Sequence, residues 1–138
     1  MNKKGFTLVE LLATITIIAM ILVLVMTISG SIQNNAKIGV YNEKIKSLEI
    51  QAALWGQEHS GLVIQTVDCP EPENFDYNYT YTCYIGLTVD TLVKEKYIGA
   101  DNDEGDIFDP RDKNNTLNDL EFIVYHYYNN YYAKVIEI

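Results

Sequence analysis

The chain has 138 residues, a formal net charge of −9 and 48% hydrophobic residues. Once a membrane segment is set aside, that length leaves about a hundred residues, enough for one small domain and not two. From Ser31 onward 18 acidic residues outnumber 8 basic ones, which argues against direct nucleic-acid binding, because phosphate affinity comes from clustered Lys and Arg.

The N-terminus carries the strongest signal. Phe6 to Ile28 is a run of 23 residues whose single charge is Glu10. A lone charge at mid-bilayer costs roughly 2.5–3.5 kcal/mol on insertion scales, so Glu10 needs a partner. No Lys or Arg lies between Phe6 and Ser31. The partner must then come from another molecule or from a charge made by processing this one. Cleavage after Gly5 would make one, by freeing the amine of Phe6 four residues before Glu10. An ordinary secretory signal has an apolar core of about 7–15 residues, shorter than this run. The length suits a membrane helix at about 1.5 Å per residue. Lipid forces internal hydrogen bonding, so even the β-branched residues here are expected to be helical.

Lys3-Lys4-Gly5-Phe6-Thr7-Leu8-Val9-Glu10-Leu11-Leu12 resembles the class III signal of type IV prepilins and of type II secretion pseudopilins. The resemblance implies that a prepilin peptidase cuts between Gly5 and Phe6 and N-methylates Phe6. It implies that Glu10 neutralises the new amine of a neighbouring subunit as a filament assembles. The partners implied are that peptidase, a membrane assembly platform protein and other pilin subunits. The organisation expected is a leader over 1–5, a transmembrane helix half over 6–30, an amphipathic half over 31–60 and an extracytoplasmic globular domain over 61–138. Lys3 and Lys4 precede the span and no basic residue follows until Lys37, so the positive-inside bias puts the N-terminus in the cytoplasm and the domain outside. A single-pass protein of the cytoplasmic membrane, later displayed in a surface filament, is the localisation expected.

Gly30 and Ser31 mark the membrane exit. Beyond them Ile38, Tyr41, Ile45, Leu48, Ala52 and Trp55 recur at spacings of 3, 4, 3, 4 and 3, an amphipathic stripe that continues the helix to about His59. Gly56 and Gly61 read as end signals. Leu62 to Val67 is a candidate strand or extended connection, and Asp68 to Glu73, with Pro70 and Pro72, a loop. Alternation from Tyr77 to Tyr84 predicts a strand. Thr88 to Tyr97 predicts a short helix followed by Gly99, and 101–115 a polar loop. Two strands, Glu121 to Tyr128 and Tyr131 to Ile138, flank Asn129-Asn130, which suits a two-residue hairpin turn. In that register Tyr128 faces Tyr131 and Val124 faces Val135. The fold class expected is α+β and pilin-like, a long N-terminal helix packed on a small antiparallel sheet.

Cys69 and Cys83 are the only cysteines. An even count in a short extracytoplasmic domain favours a disulfide, and closing a loop of about 15 residues stabilises by roughly 3 kcal/mol in the chain-entropy model. Zinc would need four ligands, and the only histidines, His59 and His126, lie far off in sequence. Asp101, Asp103, Glu104, Asp106, Asp109 and Asp112 put six carboxylates within twelve residues. Asp101, Asp103, Asp106 and Asp109 are the candidate calcium ligands, and no other cofactor is expected. The spacing departs from the EF-hand, because Gly105 stands where that loop wants a ligand, and a solvated acidic loop is the simpler reading. Ile107 to Asp112 reads as a turn carrying a docked aromatic, and resembles a stretch before the last hairpin of pilin-like proteins from Gram-positive bacteria. The eleven tyrosines read as half-buried strand residues. No nucleophile or general base has its partners nearby in sequence, so no enzyme is expected. Two functions remain open: a prepilin-like filament subunit, and a membrane-anchored binding module that never polymerises.

Overall fold

A computed structural model describes residues 5–136. Contacts divide the chain into two units, one up to Ile38 and one from Gly39 onward. A single helix, α1, runs from Leu8 to Glu58.

The first unit is helix. From Gly5 to Ile28 every residue is exposed, and α1 is long and apolar enough to cross a membrane. Three of its hydroxyls are turned back on the helix itself: Thr14, Thr16 and Thr27 donate to the carbonyls of Leu11, Ala13 and Leu24 at 2.8, 2.8 and 2.9 Å. An unpaired hydroxyl is costly in hydrocarbon, and back-bonding of this kind removes that cost.

The second unit packs the C-terminal part of α1 on a three-stranded antiparallel sheet. After α1 come β1 (Tyr81–Thr88), α2 (Val89–Lys94), β2 (Phe108–Asp109), β3 (Asp112–Thr116), β4 (Glu121–Tyr127) and β5 (Asn130–Val135). The sheet order is β1-β4-β5, and β2 and β3 form a separate ribbon. This is the α+β, pilin-like class that the helix and hairpin signals anticipate.

Leu48, Ala52 and Trp55 of the helix stripe are buried together with Leu87, Val89, Leu92, Ile107, Leu117, Phe122, Val124 and Ala133. Tyr41 and Ile45 pack at the edge of this core, whereas Ile38 is exposed. Strand β4 explains the two-sidedness. Phe122 and Val124 face α1, and Ile123 and Tyr125 join Cys83 in a second cluster on the opposite face, as a period of two requires. In β1 the alternation breaks at Gly86, where the register against β4 slips between Ile85 and Leu87. Gly86 takes φ +95°, a conformation open to glycine, and the extra residue of this bulge returns Leu87 to the face of Tyr84.

Gly56 is not an end signal. It lies inside α1, and a Cβ built on it would stand 2.3 Å from Val124 Cγ1. Glycine is there so that helix and sheet can approach. The Leu62 to Val67 stretch forms no regular strand; it meets the sheet at the bridge of Gln65 to Cys83 and at Val63, whose carbonyl accepts from Thr82 Oγ1. The tyrosine strand begins at Tyr81, not Tyr77, because Phe75 gathers Tyr77, Tyr81 and Tyr127 around it at 4.9, 4.9 and 5.7 Å between ring centroids. The short helix is present, its first turn capped by Thr88, whose Oγ1 accepts from Thr91 N–H at 3.2 Å. The last hairpin turns one residue earlier than the asparagine pair suggests. Tyr127 pairs with Asn130 and Val124 with Ala133, and Tyr128 and Asn129 occupy the turn with φ +51° and +60°. Ala133 and Val135 share one face, so the slip leaves the buried face intact.

Candidate processing and assembly site

The segment around Gly5-Phe6 precedes any regular structure: Gly5, Phe6 and Thr7 are irregular and exposed, and α1 begins at Leu8. A Cβ on Gly5 would meet nothing within 4 Å. The fold therefore makes no steric demand for glycine at this position. A requirement for it would have to come from something that grips the backbone from outside.

The helix start is fixed by two residues. Thr7 Oγ1 accepts from Glu10 N–H at 3.3 Å, and Glu10 Oε2 accepts from Thr7 N–H and Thr7 Oγ1, both at 3.0 Å. This reciprocal pair is a capping box, with Thr7 at the N-cap and Glu10 at the third helical position. The carboxylate also sits at the positive end of the helix dipole. Sequence reasoning sought Glu10's partner outside this stretch and missed Thr7. The signal was legible as Thr-x-x-Glu immediately before an apolar run.

Cys69 and Cys83 are joined by a disulfide with Cα atoms 6.0 Å apart. It ties the loop holding Pro70, Pro72 and Phe75 to β1. Tyr81 Oη donates to Cys69 O at 3.3 Å, and Asp76 N–H donates to Tyr127 Oη at 2.7 Å.

The four aspartates considered for calcium do not share a focus. Asp101 accepts from Lys44 Nζ at 2.6 Å and from Phe108 N–H at 2.8 Å. Asp109 is buried and accepts from Arg111 through Nε and a terminal nitrogen, the latter at 2.6 Å. Arg111 in turn lies 3.5 Å over the Tyr41 ring. Asp106 accepts from Asn102 Nδ2 at 2.9 Å, and Asp103 is exposed. Among the described residues no three His, Cys, Asp or Glu side chains converge as metal ligands. The physical reason is that Lys44 and Arg111 already neutralise two of the carboxylates, and that Asn102 and Asn118 close the loop's turns through Asp106 N–H, Ile107 N–H and Gly105 O. The turn after Ile107 does dock on the core, but through Ile107 itself, which is buried while Phe108 is half-buried.

These ion pairs shift the carboxyls. The hydrogen-bonded Arg111 guanidinium holds Asp109 below the ordinary aspartate range against a burial effect that would raise it. For Asp101 burial acts upward, and the bonds from Lys44 and Phe108 outweigh it, so its pKa is also lowered.

The architecture thus sets an exposed glycyl-phenylalanyl bond in front of a bare apolar helix that carries one capped carboxylate. Residues 1–26 match the family model described as the prokaryotic N-terminal methylation motif. Over those residues the chain carries a class III, prepilin-type signal. No curated protein and no solved structure matches the chain.

Proposed function

We propose that this chain is a prepilin-like structural subunit of an extracytoplasmic type IV pilus or pseudopilus. It inserts with its N-terminus in the cytoplasm, is cut after Gly5, is methylated on Phe6 and assembles through α1. The observation that carries this reading is the methylation motif over residues 1–26, set on a helix whose apolar residues from Leu8 to Ile28 are all exposed. A helical filament core needs such a surface, because neighbouring copies cover it. In this reading the Phe6 amine of one subunit and the Glu10 carboxylate of another neutralise each other, and each is cheaper to hold in lipid as a pair. The protein has no catalytic role in it.

One observation favours the second reading, an anchored module that stays single. The Thr7–Glu10 capping box satisfies Glu10 without any other molecule. Shearing intact cells separates the two. A filament subunit appears in the sheared fraction with other pilins, whereas an anchored module stays wholly in the membrane.

A further inference from the structure

Beyond Val124 the α1-facing side of the sheet opens into a concavity of ≈ 490 Å³, lined by Tyr79, Thr80, Thr82, His126, Tyr128 and Asn129. Its volume lies within the span of about 300–1,000 Å³ usual for small-molecule sites. Thr82 and His126 are cross-strand partners in β1 and β4 and form its floor. Tyr79 and Tyr128 form its wall, with ring centroids 4.5 Å apart and planes at 86°.

Two features set this cup apart. The domain is strongly acidic, yet no Asp, Glu, Lys or Arg lines the cup. It offers only rings, hydroxyls, an amide and an imidazole. The second feature is the conformation of Tyr128. Its φ is +51°, a backbone state that bulky residues rarely adopt and that glycine, asparagine or aspartate would fill without strain. The hairpin register imposes this state on the position, and the chain places a tyrosine in it. Here it sets a ring that is 58% exposed beside Tyr79, which is 42% exposed.

We propose that this cup binds a neutral saccharide. A pyranose has an apolar C–H face and a rim of hydroxyls. The C–H face suits the electron-rich face of a tyrosine ring, and the hydroxyls find donors and acceptors in Thr80, Asn129 and His126. Thr82 Oγ1 already donates to Val63 O at 2.7 Å, so towards a ligand it acts as an acceptor. A nucleotide would also stack on the rings, but its phosphate would meet a chain of net charge −9 without a basic residue in the cup. Uronic and sialic acids face the same repulsion.

The test uses the full chain in detergent micelles, with maltose, cellobiose and chitobiose as probes and glucuronic acid as the anionic control. Backbone amide resonances report binding. Saturable shifts are expected at Tyr79, Thr80, Thr82 and Asn129 with at least one neutral probe, and none with glucuronic acid. Tyr128→Gly removes the ring and suits the left-handed turn, so this variant keeps its fold. It should weaken binding by about tenfold. Absence of saturable shifts with all three neutral probes overturns the proposal, as do shifts that survive Tyr128→Gly unchanged. If no saccharide binds and Tyr128→Gly instead depletes the chain from sheared filaments, the cup is a protein contact, and the proposal is likewise overturned.

Discussion

Glu10 is held by the residue three positions before it, and that changes what its mutation should reveal. Glu10→Val removes a carboxylate from the apolar segment and so lowers the cost of insertion. It also removes one half of the capping box, which is worth about 1 kcal/mol at a helix start. The variant should accumulate in the membrane at parental level and still be cut after Gly5. Its entry into sheared filaments should fail. Thr7→Ala tests the capping box alone, since it leaves the charge in place. Assembly of Glu10→Val at the normal level would show that the carboxylate serves only the cap. A second residue-scale prediction concerns pH. Asp101 and Asp109 have folded pKa values below their unfolded ones. Their ion pairs therefore stabilise above the unfolded aspartate pKa of about 3.9, and that contribution is lost as pH falls through the lower folded values. Thermal melts from pH 6 downward should lose stability below about pH 4, and Arg111→Met should flatten part of that fall. An acid limb unchanged by Arg111→Met would show that the Asp109–Arg111 pair adds nothing.

Among the elements, the contact of α1 with β4 is the tightest constraint. Gly56→Ala brings a methyl group to 2.3 Å from Val124 Cγ1 if nothing moves. Alanine gains up to about 1 kcal/mol in helix propensity over glycine, but overpacking a closed core costs about 1–3 kcal/mol. The net expectation is a loss of about 1–2 kcal/mol in denaturant melts, and a gain in stability would contradict the packing. The disulfide loop gives another element-scale expectation. Reduction should destabilise the domain by about 3 kcal/mol and release Phe75 from its aromatic partners, seen as changed near-UV dichroism. Two alkylatable thiols in the native, unreduced protein would contradict the bond. In the acidic loop Lys44 and Arg111 already occupy Asp101 and Asp109, so millimolar calcium should leave the melting temperature unchanged. A rise abolished by Asp103→Ala with Asp106→Ala would restore the cation site.

Elements were legible where a period ran long. The helix stripe placed Leu48, Ala52 and Trp55 in the core, and the end of α1 at Glu58 lies one residue from the expected end. What escaped the sequence was set by tertiary contact. Gly56 has the composition of a stop and the position of a packing contact. Gly86 breaks an alternation that only the pairing with β4 exposes. The turn falls on Tyr128-Asn129 because the register is fixed by Val124 and Ala133 on the helix-facing side, and that burial overrides the local preference for asparagine at both turn positions. The acidic run left calcium open as the lesser reading, because sequence alone does not show that Lys44 and Arg111 fold back onto it. Of the candidate processing site, Gly5, Phe6 and Glu10 stand out in the sequence by their order. Thr7 was missed because the search was for a charge, and the partner is a neutral hydroxyl and an amide.

At the scale of the whole molecule the chain joins two surfaces with opposite requirements. Residues of the first unit, from Phe6 to Ile28, expose apolar side chains, which water disfavours by about 25 cal/mol per Å². The second unit closes its own core and carries the acidic surface. Such a chain is soluble only with its first unit in lipid, in detergent or against other copies of that helix. With the signal over residues 1–26, the proposed function makes this chain a precursor matured at Gly5. The most direct measurement is the N-terminal mass and sequence of the protein recovered from its membrane, for the parent and for Gly5→Arg. The account predicts a parent chain that begins at methylated Phe6, and a Gly5→Arg chain that is folded, membrane-bound and full length. A parent chain that keeps the residues before Phe6, or a Gly5→Arg chain shortened like the parent, would contradict it.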